Sequence, residues 1–139
     1  MTNRVHFEDL EYDGDQLFLN GKSFNGIAYE LYENGQLHSE SEYFDGWEVN
    51  VSKEWYDNGT LKSIQAYKRG QGHGQGQDFF ENGAKKSETN FELGVLLEQK
   101  KWSEQGKLLE HWILDRERDN IQYECLLQRR RLERELPID

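Results

Sequence analysis

The side chains that could do chemistry are few, and their spacing argues against most of what they could do. The four histidines, His6, His38, His73 and His111, are scattered, with neither an H-E-x-x-H pair nor a closely spaced Cys/His set, so the spacing of a zinc site is missing. His73 sits in GQGHGQG at 70–76, where a glycine-rich loop suggests phosphate. That chemistry draws on a following Gly-Lys-Ser/Thr or on a helix start, and neither is present. Asp13-Gly14-Asp15 has the residue types of a calcium loop without the twelve-residue spacing. Ser39, Ser63 and Ser87 recur every 24 positions and carry no G-x-S-x-G elbow. A catalytic residue is normally unique, so recurring serines read as structural, small side chains fitted between aromatic neighbours. Nothing singles out two of the 27 acidic residues as an acid–base pair. No catalytic, cofactor or metal site is assigned, and the expectation is a protein that is not an enzyme.

What remains is chemistry of contact. Aromatic residues stand beside carboxylates at Tyr29-Glu30, Trp47-Glu48 and Glu54-Trp55-Tyr56, the combination a protein-binding hot spot uses. Trp47 draws the most interest, because no other repeat copy has an aromatic after the corresponding glycine. Formal charge is −10, and residues 115–139 hold 6 basic and 7 acidic side chains, which leaves 11 and 20 for residues 1–114. An acidic surface repels nucleic-acid phosphate and anionic lipid headgroups and attracts a basic protein; simple solubility is the plainer account of the same charge. Arg129-Arg130-Arg131 reads as a solvated helix face before it reads as an anion site.

These residues are positioned by a repeat. YENGQLHSESEYFDG (32–46) aligns with YDNGTLKSIQAYKRG (56–70) and with FENGAKKSETNFELG (80–94), and SEQGKLLEHWIL (103–114) is a weaker fourth copy. The turn glycines Gly35, Gly59, Gly83 and Gly106 are spaced by 24, 24 and 23 residues. A degenerate first copy is YDGDQLFLNG (12–21), with Gly14 as its turn. Asn-Gly at 34–35, 58–59 and 82–83 predicts two-residue type I′ hairpin turns, since both central residues then need positive φ. Such turns place Tyr32 opposite Leu37, Tyr56 opposite Leu61 and Phe80 opposite Lys85, on one face with the serines and with Tyr43, Tyr67 and Phe91. The other face then carries Leu31, Trp55, Phe79 and Trp102; a bulged turn would shift this register. Thirteen glycines against the single Pro137 agree with hairpins rather than proline-rich loops.

After Leu114 the chain loses glycine and gains charged helix formers. Ile121, Cys125, Leu132 and Leu136 fall on one side of a helix with Leu114, and the helix should end before Pro137. Its expected role is to cap the last edge or one face of the sheet; association with a partner or a second copy is the sharper alternative. With 35% apolar but 13% aromatic residues, a thin aromatic-rich structure is expected, not a large globular core. Cys125 is the lone cysteine, and no apolar run suggests a leader or a membrane span, so the expected location is cytoplasmic.

The recurring aromatic-E/D-N-G-x-L/K-K/H-S pattern, followed by aromatic-x-x-G, resembles the bacterial variant of the MORN (membrane occupation and recognition nexus) repeat. KRGQGHGQGQDFFENG (68–83) is also similar to the ordinary unit, through His73-Gly74-Gln75-Gly76. The resemblance covers roughly residues 12–114. It leaves the helical tail unexplained and agrees with the fold expected from the residues, a mainly β protein with an elongated twisted sheet of four to five hairpins over 1–114 and a helical tail at 115–139. Proteins built from the variant repeat are commonly classed as immunity or antitoxin proteins, which implies a non-catalytic binder of a cognate toxin; the acidic charge makes a basic, nuclease-like toxin the expected partner. Ordinary MORN proteins imply the alternative, a scaffold or phospholipid-associated adaptor. Two departures bear on geometry: Asn50 stands where the other copies have Gly26 and Gly74, and Gln105-Gly106 replaces Asn-Gly in the fourth copy without a second glycine after it.

Overall fold

The computed structural model describes residues 3–136, in which glycine-punctuated strands follow one another as a meander. The first stretch holds β1 (Arg4–His6), a 3-10 turn (Phe7–Asp9), β2 (Glu11–Asp13), β3 (Gln16–Leu19) and β4 (Lys22–Ser23). Four long hairpins follow: β5 (Gly26–Leu31) with β6 (Leu37–Phe44), β7 (Trp47–Trp55) with β8 (Leu61–Lys68), β9 (Gln71–Phe79) with β10 (Lys85–Glu92), and β11 (Val95–Trp102) with β12 (Leu108–Ile113). Helix α1 spans Asn120–Glu135. Strands β5 to β12 pair with their sequence neighbours in one open sheet, to which β1 adds in parallel beside β5. The expected array is present. The degenerate first copy does fold as a hairpin, but β2, β3 and β4 make a separate small sheet instead of joining the ladder.

The two kinds of turn exchange the roles that their sequences suggest. At the first tip Gly35 N–H donates to the Tyr32 carbonyl and Tyr32 N–H to the Gln36 carbonyl, so the loop is the three residues Glu33-Asn34-Gly35. Only Gly35 has positive φ (+86°), which makes a type I turn closed by a glycine bulge. The same bonds recur at Gly59, Gly83 and Gly106. The asparagines act through their side chains: Asn34, Asn58 and Asn82 Oδ1 accept from the backbone N–H two residues on, at 2.9 Å each. Type I′ geometry instead belongs to the other turns, where Asp45-Gly46, Arg69-Gly70 and Leu93-Gly94 pair two positive φ values. Asn50 likewise takes the left-handed conformation (φ +57°) at a strand irregularity.

The longer tip loop changes the pairing that two-residue turns would give. Leu37 faces Leu31 rather than Tyr32, Leu61 faces Trp55 rather than Tyr56, and Lys85 faces Phe79 rather than Phe80. One residue after each tip, His38, Lys62, Lys86 and Leu109, then drops out of the ladder. The two deviations are opposite in sense, so Glu30↔Ser39, Glu54↔Ser63 and Asp78↔Ser87 regain the pairing that two-residue turns imply. The bulged side chains are not idle: His38 stacks on Tyr32 at 4.3 Å, while Lys62 and Lys86 reach over Tyr56 and Phe80 at 5.7 Å.

The sheet's two faces are covered at different places. Leu10, Leu17, Phe24, Ala28 and Tyr43 form the buried core, where the small sheet lies against β5 and β6; Val5, Phe7 and Leu19 pack around it. We call this the layer face. On it the register lines up Glu30, Ser39, Glu54, Ser63, Asp78, Ser87, Lys101 and Glu110 across eight strands. The serines therefore stand between charged side chains, not between aromatics, and Ser87 Oγ donates to Asp78 Oδ2 at 2.7 Å.

The opposite face meets α1. Its one fully buried side chain is Leu126 (1% exposed), and it packs beside β11. Arg130 makes a two-bond pair with Glu92 (2.5 and 2.8 Å), Arg129 donates to the Leu93 carbonyl (2.6 Å), and Glu133 pairs with Lys68 (2.5 Å). The expected apolar stripe points elsewhere: Ile121 is 79% exposed, Leu132 54% and Leu136 42%. Salt bridges and a carbonyl contact orient this helix, and apolar periodicity does not register them. Two of the three arginines expected in solvent are anchors, and only Arg131 lacks a partner of this kind. The helix starts at Asn120, after a turn in which Asp115 Oδ1 accepts from Glu117 and Arg118 N–H. It ends at Glu135, and Pro137 lies outside the described residues. It does not run along β12, whose Leu108, Leu109 and Ile113 stay exposed.

Candidate partner-binding surface

Successive residues of a strand point to opposite faces, and this splits the aromatic–carboxylate pairs that the sequence brings together. Glu30, Glu48 and Glu54 share the layer face with Ser39 and Tyr43, while Tyr29, Trp47 and Trp55 lie on the helix face. The candidate side chains of these strands are therefore divided between the two faces of the sheet. Tyr29 is already covered, with the Arg4 guanidinium 5.0 Å above its ring and His6 edge-on at 5.3 Å. Glu30 lies 3.6 Å from His38 and Glu54 3.9 Å from Lys62, and Glu48 accepts from the Ser52 hydroxyl. Tyr56 sits just past its strand and donates its hydroxyl to the Phe79 carbonyl at 2.7 Å, as Tyr32 does to the Trp55 carbonyl at 2.6 Å. These two tyrosines tie each hairpin to the next. Partial burial and then nearby carboxylates hold both phenols above their ordinary pKa, so they stay protonated donors.

The recurring glycines do their work as turn formers: Gly35, Gly59, Gly83 and Gly106 all occupy the positive-φ place of their tips, and a Cβ at Gly35, Gly83 or Gly106 would meet nothing. The other turn row is crowded. A Cβ on Gly70 would come 3.0 Å from the Trp47 ring, and one on Gly46 2.9 Å from the Leu17 carbonyl oxygen. Trp47 thus lies over the next turn, between two open depressions. One is lined by Phe44, Val49 and Lys68, the other by Tyr12, Tyr43 and Glu48. Phe44 is 64% and Tyr12 61% exposed. Neither was singled out by sequence reasoning, although Tyr12 stands between Glu11 and Asp13 and Phe44 precedes Asp45.

Charge is also less evenly spread than a division at residue 114 suggests. Residues 1–52 hold 11 acidic and two basic side chains, and residues 53–114 hold nine of each. Counting charge copy by copy would have found this. The acidic excess belongs to the small sheet, the first hairpin and the start of β7. Among the described residues no group of three or more His, Cys, Asp or Glu side chains is placed to hold a metal ion, and no helix is long and apolar enough to cross a membrane.

Comparison with known proteins bears on what such a surface is for. A family model described as the MORN repeat variant matches residues 24–45 and 48–69. The chain is also 50% identical over 133 residues to a Bacillus subtilis (strain 168) protein named Immunity protein YwqK, covering 91% of this chain and 85% of that one. The chain belongs to the MORN repeat variant family. The two matched MORN units coincide with the hairpins β5–β6 and β7–β8, each with its asparagine-glycine tip in the middle and ending in a type I′ turn. Hairpins β9–β10 and β11–β12 repeat the same tip geometry. A slight likeness to the crystal structure of accessory secretory protein 1,2 and 3 in Streptococcus pneumoniae has 18% identity and a TM-score of 0.39. It covers 82% of this chain and 20% of that one.

Proposed function

We propose that this chain is an immunity protein, one that neutralises a cognate toxin by binding it in a stoichiometric complex. The observation that carries the reading is the 50% identity, across nearly the whole chain, to a protein named for immunity. The architecture supports it: an open sheet with repeated turns offers broad contact surface. The charge of −10 supports a toxin whose contacting surface is basic, and a nuclease, which must itself attract phosphate, is the class of toxin that would fit. Acidic residues would speed encounter, and aromatic anchors would slow dissociation. The complex would form in the cytoplasm. Association of two copies through α1 would use Ile121, Leu132 and Leu136, which solvent reaches.

The test is protection. A toxin domain should be encoded beside the chain's gene, its expression should arrest growth, and co-expression of this chain should restore growth and yield a co-purifying complex of fixed ratio. Arrest that persists despite abundant folded chain would reject the proposal. Flotation with anionic vesicles should leave the chain at the bottom of the gradient; flotation to the top would favour the lipid-associated alternative.

A further inference from the structure

We infer that the surface engaging the protein partner is the acidic pole made by residues 1–52, centred on Trp47, and that it receives a basic segment of that partner. This rests on the immunity reading and adds a location and a chemistry to it. Three observations meet at this pole. The first is apolar: Trp47 stands at the turn row between a depression on each face of the sheet. The largely exposed Phe44 lies beside the one on the helix face and Tyr12 beside the one on the layer face, so a partner segment would wrap this end. An exposed aromatic pair around a half-buried tryptophan is the make-up of an interface centre, where ring area is desolvated at little conformational cost. The second is charge. Asp13 and Asp15 are exposed beside Tyr12, Asp45 precedes Trp47 in the turn, and Glu48 lines the depression on the layer side. Of the cations nearby, Arg4 pairs with Glu40 and Lys68 with Glu133, and Arg69, which lines both depressions, is engaged as well. The remainder of the sheet has no net charge to steer with. The third is rigidity. The Asp45-Gly46 turn is held by Ser23 Oγ on Asp45 Oδ1 (2.7 Å), by Asp45 N–H on Asn25 Oδ1 (2.8 Å), and by backbone bonds of Gly46 to Leu17 and Phe24 (2.9 Å each). Phe44 and Trp47 flank this turn, so little ordering is left to be done on binding.

The opposing candidates are the uncovered β12 edge and the exposed side of α1; neither carries a charge excess that would choose its occupant.

The experiment uses the full chain and, as probe, an inactivated form of the toxin domain encoded beside its gene. Association and dissociation rates are measured at low and at physiological salt, with thermal unfolding of each variant as a control. The double variant D13K/D15K should slow association about tenfold at low salt and much less at high salt. The same charge change at the far tips, E81K/E104K, should alter it less than twofold. Phe44→Ser, at an exposed position, should speed dissociation about tenfold. In hydrogen exchange of the complex, residues 12–15 and 44–50 should gain protection. Equal effects of the two charge variants, or protection confined to β12 or α1, would overturn the inference. If the wild-type chain neither binds nor protects, the immunity reading itself fails; if it protects while all pole variants bind normally, only the location is wrong.

Discussion

Tyr32, Tyr56 and Phe80 occupy equivalent places, and the difference of one oxygen among them is measurable. Two hydroxyls reach the backbone carbonyl of the next hairpin, and Phe80 has none to offer to Trp102. Tyr56→Phe removes one such bond and should lower stability by about 0.5–1.5 kcal/mol, while Phe80→Tyr should raise it by a similar amount. Urea midpoints will show this as shifts of opposite sign; two unchanged midpoints would mean that the hydroxyls gain nothing over water. The asparagines at the tips act on the same scale. Asn34, Asn58 and Asn82 are suited to either of two turn types, and here they are used for a carboxamide that accepts a backbone N–H rather than for a tolerance of positive φ.

At the scale of elements, α1 is attached by charge more than by apolar surface. The hydrogen bond from Arg130 holds the Glu92 carboxyl below its ordinary value, and that from Lys68 does the same for Glu133. Each acid is therefore a stronger acid folded than unfolded. Its contribution is fully present above the ordinary carboxylate value of 4.5 and is lost as pH falls through the lower folded value. Consequently the stability gap between wild type and Arg130→Ala should be open at pH 6 and close as pH drops well below 4.5. Chemical denaturation across that range will test it. A gap that stays constant towards low pH would show that Arg130 acts through packing instead. The helix was legible as a helix from its glycine-free, charged composition. Its docking face was not legible, because Ile121, Leu132 and Leu136 form the better apolar stripe and yet stay largely exposed, Leu132 and Leu136 only flanking the contact with the sheet.

For the whole molecule, the ladder and the helix are separable in kind: one is a chain of neighbour-to-neighbour pairings, the other a late addition over its end. A chain ending at residue 114 should keep the β-sheet signal of the full protein. It should melt lower, because Leu93 and Val95 are now buried where Leu126 and Arg129 meet the last turn row. Circular dichroism with thermal melting gives the answer, and complete loss of the β signal would show that the helix is needed for the sheet to form. The charge division matters at this scale too, since a molecule acidic at one end and neutral over the rest carries a dipolar field that orients a basic partner during approach.

Period and glycine placement determined the hairpin array and its four tips, and the glycine-free charged stretch after Leu114 the helical tail. These depend on local conformation and on alternation, which a repeated sequence states several times over. The small sheet's departure from the ladder, the tip type, the helix's buried side and the separation of Glu48 from Trp47 and Glu54 from Trp55 onto opposite faces were decided by tertiary structure. Each of these turns on what lies across space: a core of Leu17, Phe24 and Tyr43 drew the first copy onto the sheet's face, and Glu92 and Lys68 chose which side of α1 would turn inward.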